Sequence, residues 1–153
     1  MSMEICILSD RKLSSVESWQ HAVDACGLNY KLSPVFASKP FDGIMSVQGE
    51  NHRTSFEIRT RSAANIMMEM PRIDFGHRWK FAIELIWAGD INAGPAAYAT
   101  GAAYAKATGG VVLDYEEGKL ISPQRAQEIA LEIEAQAPDI LALAQRVVQQ
   151  FRK

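Results

Sequence analysis

Between residues 78 and 87, large apolar side chains fall on every second position. Trp79, Phe81, Ile83, Leu85 and Trp87 alternate with Arg78, Lys80, Ala82, Glu84 and Ile86. Successive side chains of a strand point to opposite faces, so this run predicts a strand with one core face and one partly wet face. A sheet of such strands needs a cover for its apolar side. The chain supplies one directly afterwards. Asp90 to Gly94 reads as a turn, and Pro95 suits the first turn of a helix. From there to about Thr108 the chain is filled with Ala96, Ala97, Ala99, Gly101, Ala102, Ala103, Ala105 and Ala107. Small side chains let a helix axis lie close to a sheet, so this helix is expected to be the buried one. Gly109-Gly110 supplies the backbone freedom of a C-terminal cap.

The rest of the chain carries compatible signals. Met3, Ile5 and Ile7 alternate with Glu4, Cys6 and Leu8, which predicts a first strand apolar on both faces. Ser14 and Glu17 have capping-box spacing, and Val16, Trp19, Ala22, Val23 and Cys26 then form one apolar helical face up to Gly27. Tyr30 to Phe36 reads as a short strand interrupted by Pro34, which suits an edge. Pro40 and Asp42-Gly43 mark a turn. Ile44 to Gln48 and Thr54 to Thr60 predict a hairpin around Gly49-Glu50-Asn51. Residues 61–76 are harder to place, with Ala63 to Met70 either a short helix or an ordered loop before Pro71. Val111 to Tyr115 is a further strand, and Leu120-Ile121 a brief one. Ser122-Pro123 starts a helix with a stripe of Ala126, Ile129, Ala130 and Ile133. Pro138 is expected to interrupt it before a last amphipathic segment of Ile140, Leu141, Ala144, Val147, Val148 and Phe151. No linker or repeat divides residues 1–153. The order of elements predicts a single α+β domain, a split βαβ antiparallel sheet with helices mainly on one face.

Chemistry is sparser. Cys6 and Cys26 match no zinc or redox spacing and are expected as buried apolar residues, so nothing calls for an oxidising compartment. His21, His52 and His77 have no ligand-type neighbours at metal spacing, and no Walker, G-x-S-x-G or G-x-G-x-x-G motif occurs. No cofactor is expected, and an enzyme is the less favoured class. Asp90 and Asp114 are the one pair of carboxylates that would line a small cleft, for a ligand or a reaction. Turn and strand-end aspartates also occur for hydrogen bonding alone. The net charge of −2 provides no overall attraction to nucleic acid or an acidic membrane. The start of the chain lacks the pattern of a signal peptide, and no apolar run approaches the roughly 18 residues of a membrane span, so the cytoplasm is the expected location.

A basic bias between residues 53 and 80 stands out. Arg53, Arg59, Arg61, Arg72, Arg78 and Lys80 outnumber Glu57, Glu69 and Asp74. Arg59, Arg78 and Lys80 are expected on the non-core face of strands, as one positive surface. Such a surface is either a solvated sheet face or a site for an acidic peptide or protein; without interleaved exposed aromatics, nucleic acid is disfavoured. Met67 and Met68, in the run Met67-Met68-Glu69-Met70-Pro71, fit either core filling or an adaptable binding surface. The functional expectation is a protein- or peptide-binding domain that uses an exposed sheet face.

The run Tyr104-Ala105-Lys106-Ala107-Thr108-Gly109-Gly110-Val111-Val112-Leu113-Asp114, followed by Leu120-Ile121-Ser122-Pro123-Gln124, resembles part of a known family. It is similar to the C-terminal domain of the bacterial cell-division protein ZipA, where a helix leads into a Gly-Gly-Val-Val-Leu-Asp strand and a Thr-Pro-Gln-type helix start follows. The resemblance covers about 20 to 30 of the 153 residues. It implies a split βαβ sheet with helices on one face; in that family the open sheet face binds a peptide tail of the division protein FtsZ. The same segment resembles small uncharacterised bacterial proteins. Some single-domain proteins of this size are toxin-neutralising immunity proteins, which is a second functional expectation.

Overall fold

The structure, a computed structural model, describes residues 2–39 and 41–151, with the side chains of 36–39, 137–145, 148, 150 and 151 outside the description. Strand β1 (Met3–Ser9) is followed by helix α1 (Val16–Ala25), then strands β2 (Lys31–Lys39), β3 (Asp42–Gln48) and β4 (Arg53–Ser62). Helix α2 (Ala63–Glu69) leads to β5 (Phe81–Trp87) and α3 (Ala93–Thr108). Strands β6 (Val111–Asp114) and β7 (Lys119–Ile121) and helix α4 (Pro123–Phe151) complete the chain. The seven strands form one sheet in the order β2-β3-β4-β5-β1-β6-β7, with every neighbouring pair antiparallel. Because β1 lies between β5 and β6, those two run in the same direction and α3 joins them across the gap. Likewise α1 joins β1 to β2, which lie four places apart and point the same way. These are two interleaved split βαβ units, as the order of elements predicts.

Helices α1, α3 and α4 pack on one face. Ile5, Ile7, Phe56, Ile83, Leu85 and Val112 point into a core closed by Trp19, Val23, Tyr98, Tyr104 and the alanines of α3. Fourteen residues of α3 are buried, and the reason is its bare surface. A Cβ added at Gly101 would stand 3.1 Å from Ile5 Cδ1 and 3.2 Å from Leu85 Cδ1, so the helix already touches the sheet. At the end of α3 the two glycines have separate reasons. Gly109 takes the left-handed cap conformation at φ 69. At Gly110, a Cβ would lie 2.3 Å from the Leu8 carbonyl oxygen, so only glycine lets β6 pass so close to β1. Trp19, fully buried, donates from Nε1 to the Thr100 carbonyl (2.9 Å) and ties α1 to α3.

Several local expectations shift. The box at the start of α1 uses Ser15, not Ser14: Ser15 Oγ accepts from Ser18 N (3.1 Å), and Ser18 Oγ accepts from Ser15 N (3.1 Å). A serine at the third helical position closes the box as a glutamate would. Cys26 is the C-cap and packs against the helix-side core while only partly buried, whereas Cys6 is fully buried. Pro138 does not divide the last helix, since α4 runs as one element to Phe151; an interior proline removes one hydrogen bond and kinks a helix without having to end it. The stripe at Ile140, Leu141, Ala144, Val148 and Phe151, and the turn expected at Pro40, lie outside the described residues. Strand β2 is an edge, with register shifts between Pro34 and Phe36 and between Ala37 and Lys39.

The largest departure concerns the other face of the sheet. The run from Trp79 to Trp87 is not one strand, because β5 begins at Phe81. Residues 70–80 cross the second face with α2, and hold Met67, Met70, Ile73, Phe75 and Trp79 against Cys6, Leu8, Ala82 and Leu113. Trp79 therefore belongs to a second core, on the side opposite Ile83 and Leu85. The face expected to be partly wet is buried at Cys6, Leu8, Ala82, Glu84 and Leu113, and half-buried at Glu4, Ile86, Val111 and Leu120.

Candidate functional site

The cover stops at β5. Beyond it, β4 and β3 show Ser55, Arg59 and Ile44 to solvent, with Glu57 and Ser46 half-buried between them. Of the residues expected to form one positive surface, only Arg59 lies on this uncovered half. It is exposed and pairs with Glu57 (3.1 Å). Arg78 and Lys80 are exposed but precede β5, so they do not sit on a strand face. The Lys80 amide is held by the Ser9 carbonyl and by Asp10 Oδ1, 3.2 Å each. Arg59 is opposite Glu84 in the register, four residues from Lys80, so roughly 14 Å of extended chain separates the two cations. They do not make one patch. The methionines also divide: Met67 packs into the second core, and Met68 is 78% exposed on α2.

Where the cover meets the open half lies a polar cluster that sequence reasoning missed. Glu84 is opposite both Cys6 on β1 and Arg59 on β4, and its side chain is 3% exposed. Arg61 Nη1 donates to Glu84 Oε1 (3.2 Å), while Nη2 donates to Glu69 Oε1 on α2 (2.7 Å). The Tyr115 hydroxyl reaches over Cys6 and donates to Glu84 Oε2 (2.9 Å). Burial pushes the titration of both Tyr115 and the Cys6 thiol upward, and the Glu84 and Glu4 carboxylates add to this, while Tyr115 and Arg61 partly oppose it at Cys6. Burial, then the Glu84 charge, holds the Glu4 carboxyl above its ordinary 4.5. The hydrogen bond to Glu84 keeps Arg61 more firmly protonated.

This arrangement has the chemistry of a clasp. Among the described residues no buried side-chain nitrogen or oxygen lacks a hydrogen-bond partner. Each Glu84 oxygen accepts one hydrogen bond inside the protein, and at 3% exposure the carboxylate presents almost no surface to an incoming molecule. What the cluster does is fasten α2 to the sheet through the two forks of Arg61. The only cue in the sequence is one glutamate inside an apolar strand; Arg61 comes from the neighbouring β4 and Tyr115 from just after β6, two places away, brought there by the tertiary fold.

Asp90 and Asp114 are each engaged separately. Asp90 accepts from the Thr54 hydroxyl and from the Asn92 amide (2.9 Å), shaping the entry to α3. Asp114 is buried on the helix-covered face and accepts from the Glu116 amide (3.0 Å); burial, then the Asp114 charge, push the titration of the Tyr98 hydroxyl up. They share no hydrogen-bond partner among the described residues. His77 bonds Asp10 and meets Trp79 edge-on at 4.8 Å, His52 lies in the β3–β4 turn, and His21 is exposed on α1. Among the described residues, no group of three or more His, Cys, Asp or Glu is placed to hold a metal ion. No described helix is long and apolar enough to cross a membrane. Compared with known proteins, the chain matches no family model, no curated protein and no solved structure.

Proposed function

We propose that the chain is a protein- or peptide-binding domain that docks its partner on the uncovered β2–β3–β4 half of the second sheet face. The observation that carries this reading is where the cover ends: α2 and residues 70–80 seal the face only from β5 to β7. On the open half, the aliphatic Ile44 stands 37% exposed with the Arg59 cation two strand positions away in the register. That combination suits a partner with an apolar side chain beside a carboxylate.

Strand addition at an edge is the weaker mode. Strand β2 carries Pro34 and two irregularities, and β7 has three residues. Such edges are blunted against pairing with a further strand. The resemblance of residues 104–124 to the ZipA C-terminal domain supports a face-binding role, although those residues lie on α3, β6, β7 and the start of α4.

The test compares recovery of partners from bacterial lysate by the full chain and three variants. Arg59→Glu and Ile44→Asp are expected to lose a partner that the double variant Arg78→Glu, Lys80→Glu retains. Loss only in the double variant would move the site to the other end of the sheet. Equal recovery by all forms would show that this face does not dock the partner.

A further inference from the structure

The helix layer contains a groove that the sheet-face reading does not use. It has a volume of about 660 Å³ and opens over α3 between the end of α1 and the start of α4. Its origin is the small-residue composition of α3. A helix surfaced by alanine lies low between two neighbours with larger side chains, which leaves a trough. Ala102 and Lys106 come from α3, Cys26 and Leu28 from the cap and turn that follow α1, and Gln124 and Leu131 from α4. The volume falls within the range of small-molecule sites, about 300–1,000 Å³, which are mostly apolar with few polar groups. Leu131 is 65% exposed beside it, an apolar side chain left to water. Lys106 is the only charged residue in the lining, and among the described residues no carboxylate pairs with it.

We infer that this groove binds a small amphipathic carboxylate, such as a medium-chain acyl acid. Its chain lies along Leu28, Ala102 and Leu131, and its head group lies at the Lys106 ammonium. Charge complementarity selects the head group: an anion matches the lone cation, and an acyl chain matches the apolar walls.

Cys26 makes the groove testable, because this half-exposed thiol sits in the lining while Cys6, the other cysteine, is fully buried. The alkylation rate of Cys26 by iodoacetamide is measured on the full chain against decanoate, kept below the concentration at which it forms micelles. Occupancy slows alkylation by the factor 1 + [L]/Kd, so ten dissociation constants of decanoate are expected to slow it about elevenfold. Decanol is expected to protect less than decanoate at equal concentration. Lys106→Glu is expected to raise the concentration for half protection by about fivefold or more, and Leu131→Glu to abolish protection. Both substitutions are at exposed positions, and continued silence of Cys6 reports that each variant is folded. Absence of protection by decanoate, equal protection by decanol, or protection unchanged in Lys106→Glu would each overturn the inference.

Discussion

Replacing Arg61 by methionine separates a clasp from a decorative ion pair. The Glu84 side chain is 3% exposed and would keep only the Tyr115 hydroxyl as a partner, while Glu69, at 56%, would return to water. Removing one member of a buried pair costs about 3–5 kcal/mol, because a charge remains without compensation. The Arg61 side chain is itself 26% exposed, so water reaches the vacated side of Glu84 and the loss falls lower, at about 2–3 kcal/mol. For a chain of this length that corresponds to a fall in Tm of roughly 4–12 °C. Equilibrium urea unfolding followed by circular dichroism measures it directly. A second, counter-intuitive outcome has the same physical cause. The triple variant Arg61→Met, Glu84→Leu, Tyr115→Phe removes every charged or hydroxyl group of the core of the clasp, and should be more stable than Arg61→Met alone. Apolar groups of similar size leave nothing unpaired. A cost below about 0.5 kcal/mol for the single substitution, or a triple variant less stable than the single one, would refute the account.

Two further outcomes follow from the packing and the charges. Gly110→Ala places a methyl 2.3 Å from the Leu8 carbonyl oxygen and must push β6 from β1, whereas Gly101→Ala meets only the ends of flexible Ile5 and Leu85 side chains. The first should cost more than about 3 kcal/mol, and the second should stay within about 1 kcal/mol, since overpacking offsets the gain in helix propensity; parallel thermal melts decide between them. Glu4→Gln should raise Tm at neutral pH. The folded-state pKa of Glu4 lies above its ordinary 4.5, so its contribution is full below that value and lost as pH rises through the folded pKa. The gain in the variant should therefore vanish near pH 3.5 or about there, as a pair of pH–Tm profiles would record.

The legible parts of this fold are those governed by neighbours in the chain. The alanine and glycine content of residues 93–108 specified a buried helix, because bulk is a property of each residue by itself. The left-handed cap at Gly109, the β3–β4 hairpin and the edge character of β2 at Pro34 follow from backbone conformations that only those residues permit or forbid. Alternation also placed Ile83, Leu85 and Trp87 on one face.

The second face was decided by the tertiary structure. Alternation tells which residues share a side of a strand, but not whether another segment lies across that side. Trp79 carried on the pattern of β5 and yet packs in the opposite core, because the chain before Phe81 runs over the sheet instead of along it. Arg78 and Lys80 left the proposed positive surface for the same reason. Glu84 found Arg61 and Tyr115 only because β5 sits between β4 and β1, with β6 one place further on. Register across strands far apart in sequence has no local signature. The sequence by itself therefore determined most of the elements and the helix-covered core; the three-dimensional arrangement determined how residues 63–80 run, that α4 continues past Pro138, and which half of the other face stays open.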